Sequence, residues 1–135
     1  MAEDENIDLF NTFASIYFDM LYKNFPIPIT IDVGNIAKEL CKIQSTDKDR
    51  CEKVGRYTLE WLYKSGFIEY SQSKFINFSN CILTTQGLNA LNATPSSIDN
   101  EKSIGKEIVD AVKEKSIDSA ITFAQSALVA FAKQI

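Results

Sequence analysis

The chain has 135 residues, 45% of them hydrophobic, which suits one compact domain or a small domain carrying a helical extension. Its 14 basic and 18 acidic side chains give a formal charge of −4, which argues against indiscriminate binding to polyanions. Histidine is absent, and with it the commonest general base and metal ligand.

Cys41, Cys51 and Cys81 lie far apart and form no CxxC pair, the pattern of reduced, buried thiols in an intracellular protein. The acidic start, Met1-Ala-Glu-Asp-Glu-Asn, is the reverse of a secretory signal, so the expected location is cytoplasmic. Residues 31–92 hold eight basic and seven acidic side chains, an excess that matters only if the cations share a face.

From about Ile7 to Lys23, Leu9, Phe13, Ile16 and Met20 recur at helical spacing, flanked by Phe10, Tyr17 and Leu21. Asp8, Asn11, Ser15 and Asp19 lie opposite, so an amphipathic helix is expected. Pro26 and Pro28 end it, and Pro28-Ile-Thr-Ile31 reads as a short edge strand. Asp32 can cap a second helix over Val33–Lys42, with Ile36, Ala37 and Leu40 inward. After the polar Gln44-Ser-Thr-Asp47, a longer helix runs to about Ser65, with Thr46 or Asp47 as its N-cap. Cys51, Val54, Thr58, Trp61 and Leu62 are expected on its inner face, and Gly66 is its stop.

Phe67–Tyr70 and Phe75–Phe78, separated by Ser71-Gln-Ser-Lys74, read as a hairpin. Cys81–Thr84 continues the second arm after a bulge at Ser79-Asn80. Thr84 or Thr85 then caps a short helix, Gln86–Asn92. Residues 93–102 are turn-rich and read as a linker, followed by helical segments at about Ser103–Lys115 and Ile117–Lys133. The expected fold class is mainly α with a small antiparallel sheet (α+β): a domain over residues 1–92 and a two-helix extension over residues 103–135.

The segments Ile29-Thr-Ile31, Ile36-Ala-Lys-Glu-Leu40, Leu59-Glu-Trp-Leu62, Lys64-Ser-Gly-Phe-Ile68 and Leu83-Thr-Thr-Gln-Gly-Leu88, in this order, resemble the winged helix-turn-helix superfamily in the broad style of MarR-like and PadR-like regulators. The resemblance covers about two thirds of the chain and selects no subfamily. It implies that the longer helix enters the major groove of double-stranded DNA by its N-terminal half. Arg50, Lys53 and Tyr57 then lie on the outer side, with Arg56 on its flank and Lys48 in the first turn. Arginines suit guanine edges and lysines suit phosphates. Glu52–Arg56 and Asp49–Lys53 have the spacing of ordinary i,i+4 pairs instead. Lys74 is the only cation at the expected hairpin tip, which is thin for a DNA clamp. Gly55, unusual in a helix interior, leaves room for another helix or a phosphate backbone.

In the last segment, Ile117, Ala120, Ile121, Ala124, Leu128, Phe131 and Ile135 form one apolar stripe, and Phe123, Ala127 and Ala130 a second. A face this wide touches two neighbours. The first helix of the same chain is one; the equivalent helix of a second copy is the other, giving a homodimer through Ile121, Phe123, Leu128 and Phe131 that sets two recognition helices on adjacent half-sites. Packing within one chain is the alternative. Asp118, Gln125 and several hydroxyls count against a membrane span, and the polar face has no basic cluster for a membrane surface. No phosphate loop, GxGxxG, zinc spacing or nucleophile–base pair is present. No enzyme, cofactor or metal is expected. The leading expectation is a small dimeric transcriptional regulator that binds DNA; the alternative is a winged helix used to bind protein.

Overall fold

A computed structural model describes residues 2–44, 47–93 and 102–133. Helix α1 (Ala2–Asn24) is followed by strand β1 (Ile29–Asp32), α2 (Val33–Gln44) and α3 (Lys48–Lys64). Strands β2 (Ile68–Glu69), β3 (Gln72–Lys74) and β4 (Asn77–Leu83) come next, then α4 (Thr85–Asn92), α5 (Ile104–Lys113) and α6 (Ile117–Ala132). The chain is therefore mainly helical with a small antiparallel sheet. Of the expected linker, residues 94–101 lie outside the described residues, as do Thr46, Ile135 and the Cys41 side chain.

Helix α1 is the centre of the molecule. Its Leu9, Phe13, Tyr17, Phe18 and Leu21 are buried, but so are Thr12, Ser15 and Asp19. Ser15 and Asp19, expected on a solvent face, are covered because α1 is packed against α5 and α6 as well as against α3 and the sheet. The polar groups on that face are satisfied locally. Thr12 donates to the Asp8 carbonyl at 2.9 Å, Ser15 to the Thr12 carbonyl at 2.7 Å, and Lys23 meets Asp19 at 3.2 Å.

The two helices after β1 are set by their caps. The Asn35 amide donates to the Asp32 carboxylate at 3.1 Å and starts α2. At the end of α3, Gly66 takes φ 91, its amide bonds the Tyr63 carbonyl at 3.1 Å, and the Phe67 amide bonds the Leu62 carbonyl at 2.9 Å. This pair of bonds satisfies two end carbonyls and turns the chain into the sheet. The inner face of α3 is Cys51, Gly55, Thr58, Leu59 and Leu62. Gly55 lets α3 approach α1 closely: a Cβ there would sit 2.7 Å from the Phe13 ring and 2.8 Å from Val33. The buried Tyr17 hydroxyl donates to the Gly55 carbonyl at 2.9 Å. Trp61, expected inside, is on the outside instead, because the inward arc runs through Gly55 and Leu59.

In the sheet β4 is central, with β1 on one side and β2 and β3 on the other. Ile68 and Glu69 oppose Leu83 and Ile82, and Gln72 to Lys74 oppose Ser79 to Asn77 after Tyr70-Ser71, which lie outside the strands, so the hairpin turns at Phe75-Ile76 and not at Ser71–Lys74. Phe75 there takes φ 58. Against β1 the register shifts: Ile29 faces Cys81 while Ile31 faces Phe78. Ser79 and Asn80 thus oppose one residue, and Asn80 takes φ 57. The extra residue resets the inside–outside alternation, which is why Phe78, Cys81 and Leu83 all point into the core.

The corner after β4 joins three elements. The Thr84 hydroxyl accepts from the Gly87 amide at 3.0 Å and donates to the Gly66 carbonyl at 2.6 Å. Gly87 lies so close to the Phe67 carbonyl that a Cβ would be 2.1 Å from its oxygen. Phe67 stacks on Phe18 of α1 at 4.6 Å and meets Phe131 of α6 at 4.8 Å. Phe131 is only 7% exposed, so it belongs to the core of its own chain and is not a surface for a second copy. Ala120, Ala124 and Ala127 are buried with it, while Ile121, Phe123 and Leu128 are half-buried along the flanks. At the other end, Gly105 of α5 admits the Tyr22 ring, whose hydroxyl bonds Asn92 and Ser103 at 2.9 Å.

Candidate recognition surface

The outer side of α3 is built by exclusion. Once Cys51, Gly55, Leu59 and Leu62 turn inward, Lys53, Tyr57 and Trp61, spaced by four, stack along the outside. The Asp47 side chain makes no cap bond, so the first turn of α3 is held by the backbone bond from Cys51 to Asp47, at 2.9 Å.

The sequence-predicted cations behave in two ways. Arg50 is tied to the start of α1, where its Nε donates to the Asn6 side chain at 3.0 Å and lies 3.9 Å from the Glu5 carboxylate. Arg56 pairs with Glu60 at 3.2 Å, and its guanidinium carbon stands 4.3 Å from the Tyr57 ring and 5.5 Å from the Phe75 ring. Such an arginine is held by a carboxylate and two π faces. Lys48, Lys53 and Lys74 are exposed and have no ion-pair partner among the described residues. The structure therefore brings Lys53, Arg56 and Tyr57 together on one face, and the Arg56–Phe75 contact links that face to the hairpin turn. Asp49, Glu52 and Glu60 interrupt the positive charge along α3.

Aromatic groups dominate the same surface. Tyr57 is 52% exposed, Trp61 51% and Phe75 73%, with Tyr63 beside them. Trp61 meets Phe10 of α1 edge-on at 5.5 Å. Between the two helices lies an apolar groove of about 470 Å³, formed by Ile7, Phe10, Val54, Tyr57 and Trp61, with Lys53 at its side. Tyr63 stacks on Tyr70 at 4.4 Å, and Tyr70 meets Phe78 at 5.0 Å, which anchors the hairpin to α3. Burial, and then the Glu60 carboxylate, push the Tyr70 phenol above its ordinary pKa, so it stays neutral.

Phe75, Trp61 and the Ile7–Phe10 wall escape a reading based on charge. The i,i+4 spacing of Lys53, Tyr57 and Trp61 is the sequence signal for this face, and it competes with the general tendency of tryptophan to be buried. Elsewhere, no group of three or more acidic, cysteine or histidine side chains that could hold a metal occurs among the described residues. Burial pushes the Cys81 thiol up to about 11, which leaves it protonated and unreactive. Among the described residues no helix is long and apolar enough to cross a membrane.

No family model matches the chain, and no curated protein or solved structure matches it.

Proposed function

We propose that this chain is a winged helix-turn-helix module that works by binding, and that it presents its α3–hairpin face to another protein. The α2–α3 pair, the antiparallel hairpin that follows it and the β1 strand paired on β4 support the winged-helix reading. One observation carries the choice of partner. Arg50 and Arg56 are engaged by Glu5, Asn6 and Glu60, whereas Tyr57, Trp61 and Phe75 face solvent. Exposed aromatics next to an arginine match the centre of a protein interface, where charge is depleted. The test is affinity purification with the intact chain and with Trp61→Ala. A specific partner lost with Trp61→Ala but kept with Lys48→Ala supports the reading; a partner retained by Trp61→Ala overturns it. The truncation is expected to cost about 2 kcal/mol or more of binding, as for other aromatic hot spots.

A second reading, a regulator of transcription that binds double-stranded DNA as a homodimer, is favoured by exposed Lys48 and Lys53 on the N-terminal half of α3 and by Lys74 on the hairpin. The half-buried Ile121, Phe123 and Leu128 would then carry the dimer contact. It requires salt-sensitive binding in a selection over genomic fragments, with a slope reduced by about one in Lys53→Ala. Arg50→Ala or Arg56→Ala would cost about 1–3 kcal/mol on a specific site. The buried thiol of Cys81 favours a reducing, cytoplasmic setting for either role.

A further inference from the structure

A second cleft lies away from the α3 face, between α2 on one side and α1 and α5 on the other. Its volume is about 760 Å³, within the range of small-molecule sites. The apolar walls are Ile16, Ile36, Leu40, Val112 and Ile117, all aliphatic. Three polar side chains also line it. Glu39 is already paired with Lys42 at 3.8 Å, Asn35 offers an amide, and Lys115 has no ion-pair partner among the described residues.

Lys115 is held at the cleft by the end of α5. It occupies the left-handed position that ends α5, with φ 60, and its amide bonds the Val112 carbonyl at 3.0 Å while Ser116 bonds Ala111 at 2.8 Å. Glycine fills such a position without penalty and a lysine does not. These are the same two bonds that end α3 at Gly66, so the helix stop accounts for the left-handed backbone and fixes the lysine at the rim of the cleft. We propose that this cleft binds an aliphatic monocarboxylate, with the hydrocarbon chain along Ile16, Ile36, Leu40 and Val112 and the carboxylate at Lys115. The aliphatic walls set the body of the ligand, and the one unpaired cation in the lining sets the sign of its head. None of these residues belongs to the α3 face, so the inference stands or falls apart from the protein-docking reading.

The experiment titrates the full chain calorimetrically with decanoate, below its micellar concentration, and with decanol as the uncharged comparator. Saturable binding of decanoate is expected, about fivefold tighter than decanol, the scale of one exposed ion pair. Lys115→Gly should weaken decanoate by a similar factor while raising the Tm, because the strained position is relieved as the charge is lost. Val112→Trp should abolish binding while circular dichroism shows the native helical content; Ile36→Phe serves if that variant does not fold. The proposal is overturned by any of three results: no saturable binding, equal binding of decanol and decanoate, or binding unchanged when the cleft is filled. A solution mass showing a dimer that decanoate does not dissociate would assign the cleft to a second copy and also overturn it.

Discussion

Two glycines illustrate how single residues set the packing. On helix propensity alone Gly55→Ala would gain about 1 kcal/mol. Its Cβ, however, would stand 2.7 Å from Phe13 and 2.8 Å from Val33, both walls of a buried contact. Overpacking of that kind costs about 1–3 kcal/mol, so Gly55→Ala should be net destabilising in urea unfolding. Gly87→Ala should be worse, because its Cβ would meet the Phe67 backbone oxygen and not a flexible side chain. Of the two roles open to Gly55 in the sequence, close approach to a helix is the one realised. Gly87 in Leu83-Thr-Thr-Gln-Gly-Leu88 was legible as part of a motif. Its physical reason, the contact with Phe67, needed the fold.

At the scale of elements, local rules worked where local chemistry decides. The Asp32 and Thr84 caps, the Gly66 stop and the bulge at Ser79-Asn80 were all readable from short stretches. The hairpin turn was not. Ser71–Lys74 is polar enough to look like a turn, yet Gln72 to Lys74 pair with β4, and the turn falls on Phe75 in a conformation that phenylalanine rarely adopts. The faces of α1 also failed, since α5 and α6, which pack on it together with α3 and the sheet, lie more than eighty positions beyond Ser15 and Asp19. That burial has a measurable consequence. Desolvation raises the Asp19 pKa above 3.8, and Lys23 offsets this only in part. The folded state then holds a proton where the unfolded chain has lost it, so stability falls as pH rises through the window from 3.8 to the raised value. Asp19→Asn should remove that loss and leave the protein more stable at neutral pH, as seen by comparing urea midpoints across the acid range. Helix α6 gives a further test. Phe131 packs on Phe67, so Phe131→Ala should cost about 3–5 kcal/mol even for a protein that is monomeric in solution.

For the whole molecule, α5 and α6 share one buried cluster with α1, α3, α4 and the sheet. A chain ending at Ala93 would uncover Phe67, Phe18 and Tyr22 together. It is expected to lose cooperative thermal unfolding and bind a hydrophobic dye, although its own helix and hairpin signals are intact. The net charge of −4 is a property of the whole chain too, and it disfavours a polyanion unless the lysines of α3 act as a local exception.

The corner at Thr84 governs more than geometry. The Phe67 amide reaches the Leu62 carbonyl, the Thr84 amide reaches the Phe67 carbonyl, and the Thr84 side chain holds both α4 and Gly66. No one of α3, β4 and α4 can fray without opening bonds owned by the others. In deuterium exchange, the amides of Phe67, Thr84 and Gly87 should therefore behave as one unit, exchanging only when the entire molecule unfolds, long after the start of α1 and the hairpin turn have exchanged.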